Sequence, residues 1–132
     1  HRDLHSLRRR QRQMCIRDRN TDYNDYGMGI FVYDDYIYVA GYTYNGDNYN
    51  ILLLKYDLNG SLTYDVDWGA GYDDYGRDVF VYGGCVYVVG YSYTSATSDY
   101  EVVVLKYTLG GSLVKSWYWC WIKEIFRLLY WC

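Results

Sequence analysis

Apolar and polar positions along residues 20–119 change in short blocks, and the same order of blocks is written twice. From Asp25 the chain reads DYGMGIFVYDDYIYVAGYTY, then ILLLKYDLNGSL and Trp68; from Asp74 it reads DYGRDVFVYGGCVYVVGYSY, then VVVLKYTLGGSL and Trp119. Gly41 matches Gly90 at an offset of 49, and Lys55 matches Lys106 at an offset of 51. The difference falls in a polar stretch, 45–50 against 94–100, where a loop absorbs an insertion. Each copy divides into four runs rich in Val, Ile and Tyr, the residues that suit a pleated surface. The pattern predicts strands over 28–34, 36–43, 49–57 and 61–67, and again over 78–82, 85–92, 100–107 and 112–119. Asp34-Asp35, Gly83-Gly84, Asn59-Gly60 and Gly110-Gly111 sit at the joins, and such pairs accept the positive φ of tight hairpin turns. Two antiparallel four-stranded meanders follow.

The third run of each copy narrows the architecture. Ile51-Leu52-Leu53-Leu54 and Val102-Val103-Val104-Leu105 do not alternate apolar with polar. A strand with one wet face alternates, so an unbroken run predicts burial on both faces. A period of about 50 residues with strand content marks repeat arrays, and the blades of a β-propeller have sheets sandwiched between neighbours.

The pattern D-Y-G-x-x-[IV]-x-V, then [IV]-Y-V-x-G-Y-[ST]-Y, then [LV]-L-K-Y-x-L-x-G-S-L with a closing Trp resembles the β-propeller repeat of bacterial and archaeal surface and secreted proteins. The resemblance covers Asp25–Trp119 in two copies. It implies that Gly27, Gly41, Gly60, Gly76, Gly90 and Gly111 mark turns and close strand approaches, and that Trp68 and Trp119 end blades. The expected fold is all-β: two four-stranded meander blades, residues 20–68 and 69–119, forming a fragment of a propeller. The implied role is a scaffold or binding module of a larger extracellular or cell-surface protein, with further blades of the same chain as partners. No catalytic motif and no cofactor come with it.

Both ends depart from the repeat. Residues 1–19, HRDLHSLRRRQRQMCIRDR, hold seven Arg, both His and no Tyr, and resemble a translated sequencing adapter. They are read as non-native and disordered; a basic nucleic-acid-binding arm or a targeting peptide are the alternatives. Seven of the 13 Lys+Arg and two of the 16 Asp+Glu lie there, so residues 20–132 carry six basic and fourteen acidic residues, a net charge of −8. That balance opposes nucleic acid and anionic membrane. After Trp119, where a third copy should open, the chain reads CWIKEIFRLLYWC. Ile122, Ile125, Phe126 and Leu129 have helical spacing. An interfacial helix, a short helix packing on the second copy and a frameshifted end are the readings, the last preferred. Residues 120–132 are too few and too charged to span a membrane.

Candidate chemistry is sparse. A Ser-His-Asp or Cys-His mechanism needs an imidazole, and residues 20–132 contain none. Asp25 and Asp74, at equivalent positions, are expected to serve turn chemistry. The oxygen-rich turns offer the ligands a hard cation such as calcium requires, with Asp73, Asp74 and Asp78 as weak candidates and Asp57-Leu58-Asn59-Gly60 as a partial loop; solvated turns are the preferred reading. Tyr42, Tyr44, Tyr91 and Tyr93 alternate after the central glycines and so share a strand face. Packing between blades is their preferred role, and binding of a glycan or protein the alternative. Asn59-Gly60-Ser61 fits a glycosylation acceptor but is first a hairpin turn. Cys85 is expected as a small buried hydrophobe, and no cysteine spacing suggests zinc or a disulfide framework.

Overall fold

A computed structural model describes residues 23–119. The expectations for residues 1–19 and 120–132 lie outside the described residues. The strands are β1 (Asp25–Tyr33), β2 (Tyr36–Tyr44), β3 (Tyr49–Asp57), β4 (Leu62–Trp68), β5 (Asp74–Tyr82), β6 (Cys85–Thr94), β7 (Asp99–Thr108) and β8 (Leu113–Trp119), with no helix among the described residues. They form two antiparallel four-stranded sheets in the orders β1-β2-β3-β4 and β5-β6-β7-β8.

The turn chemistry works as the dipeptides predict. Tyr33 pairs with Tyr36 across Asp34 (φ 50) and Asp35 (φ 64), and Tyr82 with Cys85 across Gly83 (φ 58) and Gly84 (φ 77). Two consecutive positive φ angles give the turn whose twist matches the flanking strands. Between β3 and β4 the Asp57 carboxylate accepts the N–H groups of Asn59 and Ser61, each at 2.9 Å, so its oxygen is used by the turn itself.

Strands β1 and β5 begin earlier than the pattern predicts, at Asp25 and Asp74. Each crosses a bulge, between Gly27 and Gly29 and between Gly76 and Asp78, that shifts the register without ending the pairing. Asp25 and Asp74 are therefore strand residues, which corrects the turn assignment. Gly41 and Gly90 lie opposite these bulged segments, where an added Cβ would overlap the carbonyl oxygens of Tyr26 and Tyr75.

The sheets stack face to face, with β5 lying against β1, β2 and β3. The first sheet presents Tyr38, Ala40, Ile51 and Leu53; the second presents Val79, Val81, Val86, Val88, Val103 and Leu105. Each fully buried Val, Leu or Ile among them contributes about 1.5–3 kcal/mol relative to exposure. The two surfaces in contact are not equivalent in the repeat. Val79, Val86 and Val103 correspond to Ile30, Ile37 and Leu52, which lie on the other face of the first sheet. The copies dock front to back.

The consequence appears in the third strands. Ile51–Leu54 is buried on both faces, as expected. In the second copy Val103 and Leu105 are buried but Val102 is exposed and Val104 half-exposed, so the strand has one open face and the prediction of double burial is corrected there. Cys85 is half-buried rather than buried, at the edge of the same open face.

Candidate functional site

The tyrosines that follow the central glycines belong to a longer row. Register places Tyr26 opposite Tyr42, Tyr44 opposite Tyr49, Tyr75 opposite Tyr91 and Tyr93 opposite Tyr100. Directly opposed aromatic side chains stabilise a sheet by about 0.2–1 kcal/mol per pair. Tyr26 stacks on Tyr42 with centroids 4.8 Å apart, and Tyr91 meets Tyr100 edge to face at 5.3 Å. Tyr75 joins the two halves, 4.9 Å from Tyr42 and 5.3 Å from Tyr49. Tyr23 and Tyr72 extend the ends through Tyr44 and Tyr93. All four tyrosines singled out in the sequence lie in this row, where their rings contact other rings of the row.

Burial and neighbouring phenols and carboxylates hold the central hydroxyls neutral. Tyr75 is pushed above the ordinary tyrosine range by burial first and Asp73 second, and Tyr49 by burial first and then Tyr26 and Tyr42. Tyr49 and Tyr75 therefore keep phenolic protons to donate, and the row presents exposed ring area at Tyr23, Tyr26, Tyr72 and Tyr100.

Asp73, Asp74 and Asp78 have separate tasks. Asp73 accepts the Tyr49 N–H at 3.1 Å, and Asp78 accepts that of Val79 at 2.9 Å. Asp74 is buried; it accepts the Ser92 hydroxyl, and the Ala70 N–H at 2.9 Å. It thereby ties the link between the sheets to β5 and β6. Asn48 adds a bond from its amide to the Gly71 carbonyl at 2.9 Å. Desolvation raises the Asp74 carboxyl above the usual range, opposed by the bonds from Ser92 and Ala70. Among the described residues no group of three His, Cys, Asp or Glu comes together to hold a metal ion.

Two features escaped the sequence. The register pairs Asp25 with Thr43 as it pairs Asp74 with Ser92, and all but the half-buried Asp25 are buried. The signal was present as D-Y-G and G-Y-[ST]-Y at fixed spacing. The other is Lys55, a cation within an apolar run. Its ammonium donates to the Leu109 carbonyl at 3.1 Å and lies 4.1 Å from the Tyr36 ring centroid and 5.3 Å from that of Tyr38. The Tyr64 hydroxyl donates to the same carbonyl at 3.2 Å. The first sheet thus grips the β7–β8 turn of the second by a desolvated cation and a phenol.

Neither a protein-family profile nor a curated protein matches the chain.

Proposed function

We propose that the chain is a structural and binding repeat module: two blades of a β-propeller that serve as scaffold in a larger surface or secreted protein, without catalysis of their own. The observation that carries this reading is the front-to-back docking of the two copies. A contact between non-equivalent faces of one repeated unit propagates, whereas a contact between equivalent faces closes after two. Residues 20–132 also lack the histidine that common nucleophilic sites require.

The exposed rings at the ends of the tyrosine row favour a second reading, a propeller that binds a glycan, with or without calcium. Glycan-array binding and thermal melting with and without calcium decide between them. No glycan signal and an unchanged Tm are expected for the scaffold. Glycan binding lost on Tyr100→Ala, or a calcium-dependent rise in Tm lost on Asp73→Asn, would move the assignment to the second reading. Glycan hydrolysis abolished by substitution of a single carboxylate would overturn both.

A further inference from the structure

The open face of the second sheet has a counterpart inside the chain. Val102 (46% exposed) and Val89 (39%) occupy the positions of Ile51 and Ala40, both fully buried under β5. Trp119 and Phe80 extend the same exposed face. The strand that would cover such a face is also in view. β5 docks through Val79 and Val81, which are 4% and 5% exposed; their equivalents on β1, Ile30 and Val32, are 59% and 60% exposed. Ile37, Leu52 and Leu54 beside them are buried, so the free part of that surface is the strand corresponding to the one that docks internally. The polar anchor repeats as well. Lys55 donates to the Leu109 carbonyl; Lys106 is its equivalent on the open face, and Leu58, the equivalent of Leu109, is exposed.

We propose that a second copy of this chain docks its β1 onto the open face of β5–β8, front to back, with Lys106 of one copy reaching the β3–β4 turn of the next. This rests on the reading of the chain as a repeat module and adds a second copy as the occupant of the open face. One position does not repeat. An added Cβ at Gly29 would lie 2.7 Å from the Asp78 Cα, and the equivalent of Gly29 in the second copy is Asp78 itself. The innermost strands must therefore stand further apart between chains than within one, and the contact is weaker than the internal one.

The test uses two full-length variants, Val89→Glu/Val102→Glu and Ile30→Glu/Val32→Glu. Both change exposed side chains, and unchanged circular dichroism confirms that each folds. Sedimentation equilibrium should show the parent self-associating and each variant weakened by about tenfold or more, the scale of losing one interface hot spot. An equimolar mixture should form a 1:1 pair and nothing larger, because one intact face remains on each partner. Self-association retained by the Ile30→Glu/Val32→Glu variant, with no gain on mixing, would overturn the front-to-back arrangement. A parent that stays monomeric would overturn the proposal while leaving the repeat-module reading intact, with further blades then supplied in the same chain.

Discussion

Two buried polar residues show how much a single side chain carries when its partner lies elsewhere in the chain. Asp74 is held uncharged more readily in the fold than in the open chain, so the folded state binds the extra proton. By linkage, its contribution is complete below the ordinary Asp pKa of about 3.9 and is lost as pH rises through the folded value. Asp74→Asn keeps an acceptor for the Ala70 N–H and removes the titration. Urea unfolding at a series of pH values should show the parent losing stability relative to Asp74→Asn as pH rises from about 4 towards neutrality. Asp74→Ala removes the acceptor of the buried Ser92 hydroxyl and should cost about 1–3 kcal/mol at acid pH, less as pH rises towards neutrality. Lys55 supports a comparison between copies. Lys55→Ala loses a charge-assisted bond to Leu109, a ring contact and a packed stem, and should destabilise by about 2 kcal/mol or more. Lys106→Ala, whose ammonium stands 5.9 Å from the Tyr87 ring centroid, should change stability by no more than about 0.5 kcal/mol in the monomer.

At the scale of strands and turns, most of the architecture could be read from the residues alone. The hairpin dipeptides and the apolar runs located β2, β3, β6 and β7 because turn chemistry and side-chain pattern are local. The starts of β1 and β5 were not legible, since a bulge lets pairing continue through a glycine that otherwise reads as a turn. That makes the glycines opposite the bulges testable. Gly41→Ala and Gly90→Ala each place a methyl on a carbonyl oxygen of the neighbouring strand, and backbone cannot yield as a side-chain tip can. Each should cost about 2–4 kcal/mol by chemical denaturation. The Asp34-Asp35 turn is the opposite case. Both residues hold positive φ, which Asn-Gly adopts with less strain, so Asp34→Asn with Asp35→Gly should gain about 0.5–1 kcal/mol in the same assay.

Across the whole molecule, what the sequence could not convey is which copy has a neighbour. Ile51–Leu54 and Val102–Leu105 read alike, yet one is closed on both faces and the other on one, because position in the stack is not encoded in the strand. The grip of Lys55 on Leu109 was hidden for the same reason: its partner belongs to the other copy. Alternation made the four tyrosines recognisable as two pairs, Tyr42 with Tyr44 and Tyr91 with Tyr93; the row itself arises when Tyr75 bridges the sheets. Burial of tyrosines in both sheets, inside and outside that row, gives the fold a collective response to alkali. Tyr38, Tyr49, Tyr64, Tyr75 and Tyr118 are all pushed up, by burial first, and Tyr107 is pushed up to about 12 by burial and then Asp67. In the unfolded chain these phenols ionise near pH 10, so the folded state holds protons that the open chain releases. Their stabilising contribution is complete below about pH 10 and falls as pH climbs through the folded values. Part of the absorbance at the phenolate band should therefore appear only as the protein unfolds. The denaturation midpoint should decline steeply above about pH 10 and be flat in the units below it, apart from the separate acid-side effect of Asp74. Full phenolate absorbance reached while circular dichroism still reports the folded sheets would show that these six phenols are open to solvent and that their burial does not stabilise the fold.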